Sequence, residues 1–281
     1  MSTSMQGKIV LITGATSGIG LVTARELARK GANLTIVGRN PAKLATVAEQ
    51  IKNQTGNQYI ETIAADLSTH AGVQLVAHEF KKRHTRLDVL INNAGAIFMS
   101  RQLSGDGLEM TFALNHLNYF HLTNLLLEVL KASAPARIIN VSSDAHRGQN
   151  IDFDDLQGAK NFSGMTIYGR SKLMNLLFTY ELARRLEGKG VTANALHPGF
   201  VATGFGKNNG KLMSVVMTLM SPIAKTAEDG ASTSIYLATS NEVEGLSGKY
   251  FIDKRPVDSD PASYDQAAAA RLWDLSLEMI A

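Results

Sequence analysis

Thr13-Gly14-Ala15-Thr16-Ser17-Gly18-Ile19-Gly20 is the stretch whose reading decides the fold. Before it, residues 9–12 read Ile-Val-Leu-Ile, an apolar run of strand length. After it, residues 21–30 have a helical pattern and stop at Gly31, the residue type favoured just past a helix end. The order is strand, glycine-rich turn, helix. In such a turn one glycine permits the tight bend. Another lets the backbone approach a pyrophosphate, and a third lets helix and strand pack closely. The helix N-terminus then offers free N–H groups and a positive dipole end to an anion. The spacing here is G-x-x-x-G-x-G rather than the commoner G-x-G-x-x-G. On this reading Gly14, Thr16, Ser17, Gly18, Ile19 and Gly20 bind a dinucleotide. The plainer alternative is a turn that needs glycine for its geometry alone.

Working outward, apolar runs at 33–37, 60–64, 89–91, 137–141, 192–196 and 249–252 read as further strands. Helical patterns occupy 41–52, 72–82, 108–132, 167–186, 227–238 and 267–280. Strands alternating with helices at this spacing imply parallel pairing through crossovers. The expected fold is α/β: a Rossmann-like, doubly wound parallel sheet of about seven strands with helices on both faces. No repeat and no long polar linker interrupts the 281 residues, so one domain over 1–281 is expected.

Composition narrows the function. Apolar residues make up 44% and charged residues 19%, which supplies a large core and excludes disorder. The formal charge of +3 is too small to argue for nucleic acid. There is no cysteine, which excludes a disulfide scaffold, a thiolate metal site and a cysteine nucleophile. The seven histidines lack metal-ligand spacing, so no metal is expected. Residues 1–8 are polar, and no apolar stretch is long enough for a membrane span, so a cytoplasmic protein is expected.

The second predicted strand ends at Val37-Gly38-Arg39-Asn40. An acid here would bind a ribose 2′-hydroxyl. Arg39 suits a 2′-phosphate instead, which points to NADP(H). The alternative is a solvated surface arginine.

Further motifs follow in order. Asp66-Leu67 follows the third strand, Asn92-Asn93-Ala94-Gly95 the fourth, and Val141-Ser142-Ser143 closes the fifth. Asn115 lies in the long helical stretch. Tyr168-Gly169-Arg170-Ser171-Lys172 reads Y-x-x-x-K, and Pro198-Gly199 is followed by Val201 and Thr203. Together with the glycine turn, these residues resemble the short-chain dehydrogenase/reductase family over essentially the whole chain. The resemblance implies cofactor contacts from Gly14 to Gly20, Arg39, Asn40, Asp66, Leu67, Asn93, Ala94, Gly95, Tyr168, Lys172, Pro198, Gly199, Val201 and Thr203. It implies catalytic roles for Ser143, Tyr168, Lys172 and Asn115.

Chemistry fits these roles. Tyr168 and Lys172 are four residues apart, on one helix face. A free tyrosine pKa of about 10 is too high for acid–base work at neutral pH, and a nearby ammonium is expected to lower it. Tyr168 would donate a proton to a carbonyl oxygen, or accept one in the alcohol direction. Ser143 would polarise the same oxygen, with Ser142 the alternative at that position. Asn115 would position a water linking Lys172 to bulk, and Lys172 would also bind the nicotinamide ribose.

Tyr168 follows Ser143 by 25 residues, a longer gap than is usual in the family. The additional segment, 144–167, and Asp144-Ala145-His146 within it resemble the retinol dehydrogenase-like and carbonyl reductase-like branch. Tyr180-Glu181-Leu182-Ala183-Arg184-Arg185-Leu186 and Arg271-Leu272-Trp273-Asp274-Leu275-Ser276 do the same. The insertion is expected to hinder oligomer contacts and to favour a monomer or homodimer over a tetramer. His146 is a candidate pocket residue. Residues 204–224 hold three methionines between 213 and 220, suited to an adaptable lid over an apolar substrate or to an ordinary buried helix. The expected activity is NADPH-dependent hydride transfer to or from a small-molecule carbonyl or alcohol, an apolar aldehyde or ketone. A 3-ketoacyl-thioester reductase and a non-catalytic NADP(H)-sensing scaffold are the alternatives.

Overall fold

The computed structural model describes residues 4–201, 209 and 224–281. Its strands are β1 (Ile9–Thr13), β2 (Asn33–Gly38), β3 (Ile60–Ala64), β4 (Val89–Asn92), β5 (Ala136–Val141), β6 (Val191–His197), β7 (Tyr250–Ile252) and β8 (Arg255–Val257). They form one sheet in the order β3-β2-β1-β4-β5-β6-β7-β8. Every pairing through β7 is parallel, and β8 returns antiparallel on β7. Parallel strands are covered on both faces, which is why they read as unbroken apolar runs. In β1, Val10, Leu11 and Ile12 are fully buried and feed two different cores.

The expected sheet of about seven strands gains an eighth. β7 and β8 are joined by Asp253 and Lys254, both at positive φ, as a two-residue hairpin turn requires. All three residues of β8 are exposed, so the strand carries no hydrophobic pattern.

The helices are α1 (Gly18–Arg29), α2 (Pro41–Thr55), α3 (His70–Arg83), α4 (Met110–Phe112), α5 (Asn118–Ala132), α6 (Gly164–Arg185), α7 (Ala227–Thr239) and α8 (Gln266–Ile280). The Asn40 side chain caps α2, with Pro41 in its first turn, and Gly56 ends it in a left-handed conformation. The stretch 108–132, expected as one helix, is broken. A π-helical turn at Ala113–Leu117 separates α4 from α5 and carries Asn115. Such turns insert a residue into a helix and recur at functional sites. Helix α6 begins at Gly164, three residues before the expected start at 167.

α8 covers α5 and α6. Trp273 is 6% exposed and meets Phe120 edge-on at 4.9 Å, while the Arg185 guanidinium lies 4.2 Å from its ring centre. The insertion packs beside it, with Leu156 buried against the cluster of Leu173, Leu177 and Leu272. Asp155 shapes this loop by accepting from the backbone N–H groups of Ala159, Lys160 and Asn161. Among the described residues no helix is long and apolar enough to cross a membrane.

Candidate active site

The C-terminal ends of the central strands gather the residues singled out in the sequence, where ligands bind in open α/β sheets. Gly14 has φ +69, and a Cβ there would lie 2.8 Å from the Ala94 Cα. A Cβ on Gly20 would meet the Gly14 carbonyl oxygen at 2.4 Å and the Asn93 amide nitrogen at 2.5 Å. No side chain fits at either place. Thr13 ties the two loops: its Oγ1 accepts from the backbone N–H of Asn93 (2.9 Å) and of Ala94 (3.0 Å). Asn93 Nδ2 donates back to the Thr13 carbonyl at 2.8 Å. Ser17 precedes α1 without a side-chain capping bond, and no acid stands in the first turn. This glycine cradle and uncapped N-terminus fit a dinucleotide pyrophosphate.

Arg39 is exposed beyond β2 and has no ion pair or side-chain hydrogen bond among the described residues. Asn40 is exposed too, but its Oδ1 is occupied as the α2 cap, accepting from Lys43 N at 2.9 Å. Asp66 is exposed and accepts from Ser68 Oγ at 2.8 Å, beside buried Leu67. Val201 approaches α1 from the other side, since a Cβ on Gly230 would touch Val201 at 2.6 Å and Ile19 at 3.2 Å. Pro198 and Gly199 are half-buried before it. Thr203 lies outside the described residues, as does the 204–224 segment apart from Asn209 and Ala224.

The four catalytic candidates converge. Tyr168 is half-buried, and Ser143 lies beside its hydroxyl. Lys172 is buried one turn further along α6, with Nζ 5.6 Å from the centre of the Tyr168 ring and donating to the Val141 carbonyl at 3.0 Å. The neighbouring serine is committed elsewhere: Ser142 Oγ donates to the Lys172 carbonyl at 2.9 Å. Asn115 Oδ1 accepts from Ala96 N at 2.9 Å, and its Nδ2 donates to Ala96 O and Ser171 Oγ, both at 3.0 Å.

The short chain dehydrogenase family matches residues 8–213. The chain is 44% identical over 274 residues to mouse retinol dehydrogenase 12, covering 98% of this chain and 86% of that protein. This chain belongs to the short chain dehydrogenase family. A crystal structure of an uncharacterised protein from Mycobacterium paratuberculosis superposes with a TM-score of 0.79 at 33% identity, covering 99% of this chain and 95% of that one. The Pseudomonas aeruginosa RhlG/NADP active-site complex gives 0.71 at 28% identity, over 88% and 95%. Membership makes the chain an oxidoreductase of the hydride-transfer kind, acting on alcohol or carbonyl groups.

Three features of this dehydrogenase bear on the sequence reading. First, Tyr168 is not acidified by its lysine here. Burial pushes its hydroxyl up to about 12, against the lowering effect of Ser143, and burial pulls Lys172 down to about 7. The Lys172 Nζ faces the ring and the Val141 carbonyl, and desolvation outweighs attraction. Second, the Asn115 amide has both hydrogens committed to protein. It is linked to Tyr168 through Ser171, whose Oγ donates to the Tyr168 carbonyl at 2.6 Å. Third, His146, the candidate pocket residue, is fully buried behind Ser143. Sequence reading passed over Thr13 and Ser171 as ligating residues, although both sit inside quoted motifs. Ser171 holds backbone one turn away and so carried a local signal, whereas Thr13 holds the backbone of Asn93 and Ala94 far along the chain and carried none.

Proposed function

We propose that the protein is an NADPH-dependent carbonyl reductase or alcohol dehydrogenase for apolar aldehydes, ketones or the matching alcohols. The observation that carries this reading is the placing of Ser143 beside the Tyr168 hydroxyl with Lys172 buried one turn along the same helix. The bound nicotinamide would supply or accept the hydride. In the reductive direction Tyr168 gives its hydroxyl proton to the substrate oxygen, which becomes the alcohol O–H. Ser143 hydrogen-bonds the same oxygen and polarises the carbonyl. Lys172 and Asn115 hold the face of α6 that presents Tyr168. Gly14 to Gly20, Asp66, Leu67, Asn93, Ala94, Gly95, Pro198, Gly199, Val201 and Thr203 take the cofactor.

Arg39 supports NADP(H) over NAD(H), as an exposed cation where a 2′-phosphate is expected. An apolar substrate is supported by Met99 and Phe200, in the segments after β4 and β6, and by Met165 in the first turn of α6, each at least 40% exposed. The test is NADPH oxidation against carbonyls from short aldehydes to aromatic ketones, retinal and a ketoacyl thioester, with NADH in parallel. Turnover of apolar carbonyls with NADPH is expected. Tyr168→Phe should lower kcat by about 10²–10⁴-fold while NADPH still binds. Arg39→Asp should raise KM for NADPH far more than for NADH. NADPH binding without turnover of any carbonyl would favour the sensing scaffold and sink the enzymatic reading.

A further inference from the structure

His146 lies in a short 3₁₀ turn, Asp144–His146, directly after Ser143. It is fully buried, and both ring nitrogens are engaged. Nδ1 is 2.6 Å from the Ser143 carbonyl oxygen, and Nε2 is 3.1 Å from the Asp260 backbone nitrogen. A backbone amide can only donate and a carbonyl can only accept. The ring is therefore neutral with its proton on Nδ1, donating to Ser143 and accepting from Asp260. Burial also holds the imidazole below its ordinary pKa, which keeps it neutral. Tyr250 fixes the ring plane from the side, edge-on at 5.1 Å.

Residues 258–260 reach the same turn by two more bonds. Arg147 Nη2 donates to the Asp258 carbonyl at 3.0 Å, and Gly148 N donates to Asp260 Oδ2 at 2.9 Å. The Ser143 side chain, meanwhile, accepts from Ala145 N at 3.2 Å and lies beside the Tyr168 hydroxyl. Its carbonyl and its hydroxyl are thus held by different partners, and only the hydroxyl faces the reacting centre.

We propose that His146 is a positioning residue: its Nδ1–H fixes the Ser143 carbonyl, and so the aim of the Ser143 hydroxyl, while its Nε2 anchors that hold to residues 258–260. This rests on the reading of Ser143 as the residue that polarises the substrate oxygen. Small misplacement of such a group is costly, roughly a hundredfold in rate for about 1 Å.

Two substitutions separate the two bonds. The amide of His146→Asn matches the Nδ1 position and keeps a donor for Ser143, while losing the acceptor for Asp260. His146→Gln reaches the Nε2 position, keeps that acceptor and loses the Ser143 donor. With NADPH and whichever apolar carbonyl turns over best, His146→Gln should lose kcat roughly tenfold to a hundredfold. Its KM for NADPH and its NADPH dissociation constant should stay at wild-type values. His146→Asn should keep kcat within a few-fold while melting at a lower temperature. Unchanged kcat in His146→Gln, or equal loss in both variants in step with melting temperature, overturns the proposal. Nitrogen-15 NMR of the wild-type imidazoles gives a second, independent reading. A proton resident on Nδ1 and protected from exchange is expected, and an Nε2–H tautomer overturns the proposal even if both variants misfold. Absence of turnover in the wild type, with the Nδ1–H signal present, would instead fault the enzymatic reading.

Discussion

The two sides of the site are built from different materials. The cofactor side, between β1 and β4, is shaped by missing side chains: Gly14 and Gly20 leave room that a methyl group would close. The catalytic side, between β5, α6 and the π turn, is shaped by buried polar side chains bonded over long stretches of chain. His116 reaches Ser276 across 160 residues at 3.0 Å, and His146 reaches Asp260 across 114. Ser259 meets Tyr180 of α6 at 2.8 Å. Residues 258–276 therefore hydrogen-bond to the Ser143 turn, the Tyr168 helix and the Asn115 turn, and they meet the cofactor side through the apolar core that Trp273 shares with Leu11, Leu67 and Ala94. A site made of absences tolerates distant change, whereas a site made of long-range bonds inherits the stability of every segment it borrows.

Removing Trp273 is the harshest way to break this division. Trp273→Ala should cost about 3–5 kcal/mol of unfolding free energy by denaturant titration, as large-to-small core changes do. The NADPH affinity of the molecules that remain folded should be unchanged. If affinity collapses with stability, the two sides are not separable. Gly20→Ala works from the opposite end. Its Cβ crowds the Gly14 carbonyl and Asn93, and overpacking of this kind costs about 1–3 kcal/mol. NADPH binding should weaken roughly tenfold to a hundredfold. The emission of Trp273, the only tryptophan, should keep its buried maximum, and a red shift would mean that the strain crosses the sheet.

The smallest effect sharpens the electrostatic side of the comparison. Lys172 titrates near 7 in the folded protein, below its ordinary 10.5. Between those values the unfolded chain binds more protons, so this group makes stability rise with pH through that window. Tyr168, held up at about 12, and the similarly raised Tyr119, Tyr180 and Tyr250 oppose the rise only above about pH 10, where unfolded tyrosines begin to ionise. Lys172→Met should flatten the increase in Tm between about pH 7 and 9. An unchanged slope would mean that Lys172 is not desolvated as its surroundings indicate.

The same contrast explains what the sequence could disclose. Parallel strands announce themselves as apolar runs, and the glycine turn announces itself because only glycine fits there. Tyr168 and Lys172 were legible because helical spacing puts them on one face. The break at Ala113–Leu117 was not, since a π turn leaves apolar periodicity nearly intact. β8 was invisible because no residue in it is buried. The partners of His116 and His146 were beyond reach, because no local pattern encodes a bond across more than 100 residues. The direction of the Tyr168 shift depends on burial and on where the Lys172 ammonium points, neither of which spacing supplies.

The long reach of the two histidines also imposes an order in time. A ribosome delivers the strands and glycines of the cofactor side, up to Gly95, well before Asp260 and Ser276. At about 5–20 residues per second, that interval is roughly ten to forty seconds. Once residue 146 is made, His116 and His146 are both in the chain with their partners still unmade. The growing polypeptide can hold a nucleotide cradle before it can hold an aligned Ser143, so this protein acquires its grip first and its chemistry last.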